Sequence, residues 1–280
     1  MLRSKYKNFL IIFLILFGII PNRFLASEFD DNEKRIISLN SLGADIVSKL
    51  DNDSLVGIPG SSLLKKDDKL SDKEVVSKGR MPPSLEKIIK LKPSLVIGSE
   101  GFHDKILDKL GDLNIETLKT NTKSINDLEI LIKDLAIYLN KNPSSLDKNI
   151  KSCYFNTSKY RGSAVILASV KPLLSPNSKS WAGNLLDRFN FDNISKDLES
   201  KTEFKGYVNL SPEIILKKKP SKIIIVSFPG MNENSYLANP ILKKIIASNQ
   251  NEILTFKYYG LINPGSLKTI NSACKQLSYI

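Results

Sequence analysis

Two carboxylates stand in matching positions. Glu86 lies in PSLEKIIKLKPSLVIG (83–98) and Glu213 in LSPEIILKKKPSKIIIV (210–226), 127 residues further on. Each has a Ser two residues before it, Ser84 and Ser211, and a Pro seven residues after it, Pro93 and Pro220. A carboxylate in a first helical turn complements the positive end of the helix dipole. The other chemistry-bearing residues are few: one histidine, His103, and two cysteines, Cys153 and Cys274. Gly98-Ser99-Glu100-Gly101 is not a G-x-S-x-G nucleophile turn, and the chain has no phosphate loop and no G-x-G-x-x-G. A site for bare Zn²⁺ or Mn²⁺ favours several His and carboxylates, which one His does not supply. His103, at an expected helix start, reads as a surface residue that is structural or incidental.

The elements that must position these residues alternate. Arg35–Leu39 is a short apolar run, 45–50 has helical spacing, and Leu55–Ile58 reads as a strand. Ser84 is the expected cap of a helix over 85–91, which Pro93 ends before a buried strand at 95–98. A helix over 103–110 and a strand at 115–118 come next. The stretch 124–140 has apolar residues at helical spacing, and a second helix is expected from Leu146 to about Lys159. Alternation then restarts, with strands at 164–168, 223–226 and 253–256. Helices are expected at 181–189, after a Ser211 cap with Pro212 in the first position, at 240–247 and at 264–277. Ile46, Val47 and Leu50 match Leu185, Leu186 and Phe189 at a constant offset of 139. This predicts an α/β protein of two related lobes, each with a mostly parallel sheet, joined by a long rigid helix and with a ligand cleft between them. The expected divisions are a signal at 1–27, a first lobe at 28–123, connecting helices at 124–160 and a second lobe at 161–280.

Residues 1–27 carry Arg3, Lys5 and Lys7, then a nearly unbroken Leu/Ile/Phe run, then Pro21 and Ala26-Ser27. That is the layout of a secretory signal. The alternative is an uncleaved anchor through residues 8–21. No Cys lies near residue 27, which argues against a lipoprotein. Removing the four basic residues of this segment lowers the formal net charge from +12 to +8. Lys outnumbers Arg about sixfold and is scattered, so the charge reads as a solvated surface and no nucleic-acid partner is expected. In an exported chain Cys153 and Cys274 either pair or stay free.

The chain resembles the substrate-binding proteins of ABC importers for iron complexes and vitamin B12, the two-lobed type with a helix between the lobes. The resemblance is carried by RIISLNSLGADIVSKL (35–50) with LVGI (55–58), GRMPPSLEKIIKLKPSLVIG (79–98), NLLDRFNFDNI (184–194), GYVNLSPEIILKKKPSKIIIV (206–226) and NPGSLKTINSACKQL (263–277). It implies that Glu86 and Glu213 dock on arginines of a permease dimer. It also implies a ligand cleft lined by Arg80, Met81, Ser99 and Tyr207, and less directly by Trp181, Tyr258 and Tyr259. The implied ligand is a metal chelate, a ferric siderophore or haem, with Met81 as a candidate axial ligand to haem iron. A corrinoid is the alternative, and an exported α/β hydrolase is the rival class. The expected protein is a periplasmic monomer with no intrinsic cofactor, and a binding protein rather than an enzyme.

Overall fold

Runs of Ile, Val and Leu form parallel strands here, and the helices between them turn their apolar stripes onto the sheets. The computed structural model describes residues 34–78, 81–155, 158–199, 205–228, 236, 240–247 and 252–280. The proposed signal, Arg80 and the anchor alternative at 8–21 lie outside them. Among the described residues, no helix is long and apolar enough to cross a membrane.

The first lobe runs β1 (Ile36–Ser38), α1 (Ser41–Leu50), β2 (Leu55–Gly60), β3 (Glu74–Lys78), α2 (Leu85–Lys90), β4 (Leu95–Ser99), α3 (Asp104–Asp112) and β5 (Glu116–Thr120). Its sheet is parallel throughout, in the order β3-β2-β1-β4-β5. The connector is α4 (Ile125–Leu139), the four-residue α5 (Ser144–Asp147) and a 3-10 turn at Lys151–Tyr154. The second lobe runs β6 (Ser163–Leu167), β7 (Ser169–Val170), β8 (Leu173–Pro176), α6 (Trp181–Arg188), β9 (Asp192–Asn193), β10 (Tyr207–Asn209), α7 (Pro212–Lys218) and β11 (Lys222–Ser227). It ends with α8 (Pro240–Ala247), β12 (Glu252–Lys257), α9 (Tyr258–Leu261) and α10 (Leu267–Tyr279). Here the parallel sheet is β12-β11-β6-β9, and β10-β8-β7 form a small antiparallel sheet beside it.

The strand orders β2-β1-β4-β5 and β9-β6-β11-β12 superimpose in sequence of entry. The echoed unit is therefore one helix and one central strand, α2 with β4 and α7 with β11. Each of these helices leads into a lysine in the left-handed region, Lys92 (φ 46) and Lys219 (φ 44), directly before its proline. The residues matched at an offset of 139 sit on or just beyond α1 and α6, where Ile46, Val47, Leu185, Leu186 and Phe189 are fully buried.

Two expectations are corrected. No helix runs from Leu146 to Lys159. Asn140 ends α4 in the left-handed region (φ 53), and 151–157 holds Cys, Tyr, Phe, Asn and Thr, poor helix formers. Burial of Leu146, Ile150 and Cys153 shapes that stretch instead. Ser211 is in the cap position of α7 but makes no capping bond, unlike Ser84, whose Oγ accepts from the Lys87 N–H at 3.3 Å.

Both lobes and α4 share one continuous apolar cluster, from Ile36 and Ile46 through Leu128 and Leu135 to Ile166, Leu185 and Ile270. One covalent and one polar link reinforce it. Cys153 and Cys274 are disulfide-bonded and fully buried, tying the turn after the connector to α10. Asp45 on α1 is buried, pairs with Lys49 and accepts the Leu267 N–H of α10 at 2.8 Å. Replacing Asp45 by Ala leaves that N–H unsatisfied, at roughly 1–3 kcal/mol. A melting temperature lower by roughly 2–10 °C is expected. Asp45→Asn, which keeps an acceptor, should lose less than half of that. Equal losses in thermal unfolding would mean that the bond to Leu267 contributes nothing.

Candidate functional site

In open parallel sheets, ligands sit beyond the carboxyl ends of the strands, where the order of strand entry reverses. In the first sheet that reversal lies between β1 and β4, and in the second between β6 and β11. The loops at these ends also meet across the lobes, since a Cβ on Gly265 would come within 3.0 Å of Leu63 Cδ2 and 2.9 Å of Tyr259 Cδ1.

On the first lobe the loop ends are pinned to each other. Asn40 Nδ2 donates to Thr120 Oγ1 at 3.1 Å, and Thr120 Oγ1 donates to the Gly98 carbonyl at 3.1 Å. Ser99 closes β4 and its N–H donates to His103 Nδ1 at 2.9 Å. His103 is thus half-buried and bonded rather than a surface residue, and burial lowers its pKa from 6.5. Between Ser99 and His103 the chain turns through Gly101 (φ 82) and holds Phe102 outward, 83% exposed. Met81 is 67% exposed on the segment that enters α2.

On the second lobe the aromatics cluster. The rings of Phe228 and Tyr258 lie 4.8 Å apart, and those of Tyr258 and Tyr259 lie edge-on at 5.2 Å. Tyr207 on β10 directs its hydroxyl to the Ile262 carbonyl at 3.5 Å. Burial, with Tyr258 beside it, pushes the Tyr207 phenol well above its ordinary value. It is a neutral donor at any physiological pH. Trp181 is not a cleft residue. It is 4% exposed in the core, and its indole N–H donates to the Gly260 carbonyl at 2.8 Å. A first-turn aromatic on an amphipathic helix is drawn into the core, and this one acts by holding the turn that carries Tyr258 and Tyr259. Such clusters offer flat apolar faces with a few polar tips.

The sequence pattern alone does not single out Phe102 and Phe228. A sign is nevertheless present: they come after the two echoed strands, nine residues after Pro93 and eight after Pro220. Among the described residues, no group of three or more His, Cys, Asp or Glu is placed to hold a metal ion.

Glu86 and Glu213 are exposed in the first turns of α2 and α7. The Ser211 hydroxyl, spared from capping, donates to the Glu213 carboxylate and lowers its pKa.

A pair of parallel-sheet lobes with facing loop ends defines a solute-binding protein fold. Residues 36–152 match the family model described as periplasmic binding protein. No curated protein matches the chain. Among solved structures, an ABC transporter substrate-binding protein from Listeria monocytogenes EGD-e is 22% identical, with 88% of this chain and 97% of that one covered and a TM-score of 0.70. The periplasmic haem-binding protein RhuT from Roseiflexus sp. RS-1 is 17% identical over 88% and 99% of the two chains, with a TM-score of 0.65. The periplasmic vitamin B12 binding protein BtuF of Vibrio cholerae is 20% identical over 88% and 95%, with a TM-score of 0.66. The fold is that of the ABC transporter substrate-binding proteins.

Gly260 decides where Tyr258 and Tyr259 stand. Its φ is +96, and a Cβ there would fall 2.1 Å from the Thr269 carbonyl oxygen of α10. Gly260→Ala should cost more than about 2 kcal/mol and alter the near-ultraviolet dichroism of the tyrosines. Gly101→Ala, with nothing within 4 Å of its Cβ, should cost only its backbone strain. If both changes were equal in denaturant unfolding, the Gly260–Thr269 contact would not be what fixes the turn.

Proposed function

We propose that the chain is the solute-binding component of an ABC importer, which takes one metal chelate into the cleft between its lobes and delivers it to a permease dimer. The carrying observation is the Tyr207, Phe228, Tyr258 and Tyr259 cluster at the carboxyl end of the second sheet, in a fold shared with haem- and vitamin B12-binding proteins. Flat aromatic faces suit a planar or chelated ligand. A ferric siderophore or haem is the preferred class. Arg80 would answer an anionic ligand, and the exposed Met81 could reach haem iron. A corrinoid is the second reading, supported by the same cluster. Binding without turnover is the expected activity, with no cofactor of the protein's own.

The division into lobes at 28–123 and 161–280 with a connector at 124–160 belongs to this reading. So does export as a monomer to the periplasm through residues 1–27, or anchoring through 8–21. The buried Cys153–Cys274 disulfide suits an oxidising compartment.

The chain lacking residues 1–27 should be titrated with haem, a ferric siderophore mixture and cobalamin. A Soret shift lost in Met81→Ala indicates axial ligation. Siderophore binding weakened in Arg80→Ala indicates anion recognition. Cobalamin binding alone favours the second reading, and binding of none of them rejects the proposal. Glu86 and Glu213 are assigned to permease docking. Glu86→Ala and Glu213→Ala should each weaken docking by roughly 2–5 kcal/mol if the contact is desolvated, and the double change should nearly abolish uptake. Ligand affinity of the isolated protein should stay within about twofold. Normal uptake by the double variant in reconstituted vesicles would remove the docking assignment.

A further inference from the structure

The β4–α3 turn is closed by a reciprocal pair of bonds. The Ser99 N–H donates to His103 Nδ1 at 2.9 Å, and the His103 N–H donates to the Ser99 carbonyl at 2.9 Å. Two further features fix what the turn does. Gly101 sits at φ +82 inside it, and Phe102 projects from it with 83% of its surface exposed. The backbone of Phe102 is held by the same acceptor, its N–H reaching the Ser99 carbonyl at 3.2 Å. Position adds meaning to this exposure. The turn stands where strand entry reverses in the first sheet, and Phe102 follows β4 by three residues as Phe228 of the aromatic cluster follows β11 by one.

An imidazole nitrogen that accepts from a backbone N–H carries no proton, so the ring must be the neutral Nε2–H form. Protonating Nδ1 sets two N–H groups against each other and ends the bond. The surroundings do not counter this strongly. Burial disfavours the cation, and Asp104 acts in the other direction. Asp104 in turn lies 4.0 Å from Lys119 on β5, which also pairs with Asp108 at 2.8 Å and feels Glu100. Glu100 itself accepts from Asn121. On the side of β4 and α3 that packs on the ring, Gly98 and Leu107 are uncharged; a Cβ on Gly98 would come 2.9 Å from His103 Cβ and 2.8 Å from Leu107 Cδ1.

We propose that Phe102 is a ligand contact on the first lobe and that His103 is its positioning residue, locking the turn when neutral and loosening the grip on ligand when protonated. The proposal rests on the solute-binding reading. Because the depressed pKa belongs to the locked state, the lock is complete above the ordinary histidine range and is lost as pH falls through and below it.

His103 is the only histidine in the chain, so one imidazole signal reports the lock without any ligand. Nitrogen-15 spectra of the protein lacking residues 1–27 should show the Nε2–H tautomer, a titration midpoint below 6.5, and Ser99 and Phe102 amide shifts that track the same midpoint. A midpoint at or above 6.5, or a Ser99 amide that ignores the titration, would overturn the lock. Binding is then read with haem, a ferric siderophore mixture and cyanocobalamin between about pH 7.5 and about pH 5, either side of the histidine range. For the probe that binds, affinity should drop at least threefold more in the unaltered chain than in His103→Asn, whose side-chain oxygen can accept from Ser99 but does not titrate. His103→Ala should bind at least threefold more weakly already at the upper pH, with partial rescue by His103→Asn. Phe102→Ala should weaken binding about tenfold. Parallel pH profiles for the unaltered chain and His103→Asn, or an unaffected Phe102→Ala, would sink the proposal. Failure of all three probes at every pH counts against the solute-binding reading and the Phe102 contact, while the imidazole titration still decides the lock.

Discussion

The Asp45 carboxylate is the polar contact on which the geometry between the lobes depends. It is buried, it lies on a helix of the first lobe, and it accepts the first N–H of α10 in the second. An ionised group inside a core must be paired and bonded to be tolerated, so Lys49 and Leu267 are both needed. The consequence is mechanical. α10 begins at a fixed place because Asp45 takes Leu267 and because Ser266 and Thr269 complete a capping box around it. α10 then carries Cys274, which fixes the turn after the connector through Cys153. It also carries the Thr269 carbonyl, against which Gly260 is packed too closely to admit a side chain. Tyr258 and Tyr259 precede that glycine, so the aromatic wall is registered on the same helix that Asp45 ties to the first lobe.

The repeated segment is compact in a corresponding way. Met81 precedes Glu86 by five residues and Tyr207 precedes Glu213 by six. In each lobe a proposed ligand residue and a proposed docking acid therefore share one short piece of chain. The local chemistry differs. In the first lobe Ser84 caps the helix and Glu86 is left to solvent. In the second, Pro212 opens the helix and the Ser211 hydroxyl serves Glu213. A carboxylate that already accepts a hydroxyl is held ionised further into acid, so the Ser211 hydroxyl serves the charge of Glu213 where Ser84 serves the backbone of α2.

The long periodic elements were legible. The buried strands at 95–98 and 223–226, and α4 with its run of apolar positions, can be read from period and capping alone. β3, β7, β8, β9 and β10 were not. EVVSK is mostly polar, and strands of two to four residues carry no measurable period. Their pairing is set by neighbours, as where Tyr207–Asn209 lies antiparallel to Leu174–Pro176. Trp181 was misplaced because a sequence shows that an aromatic opens a helix, not which way it points. His103 was undervalued for the same reason. Its partner, the Ser99 N–H, is a backbone group and has no signature in the sequence.

The two halves of the site are prepared to different degrees, and that difference has a consequence for selectivity. On the second lobe the aromatics are held from behind: Trp181 grips the Gly260 carbonyl, Tyr207 reaches Ile262, and the rings of Phe228, Tyr258 and Tyr259 brace one another. Under the proposed function, ordering them would cost a ligand little, so this wall would give affinity to any flat face that fits. On the first lobe Met81 and Phe102 stand out into solvent, and a ligand must offset the entropy lost in fixing them. A connector helix packed along its length into the shared core leaves little scope for the lobes to close by bending. Under the proposed function, discrimination among chelates of similar shape would then fall to the exposed side chains of the first lobe, where contacts would form only if the ligand reached them.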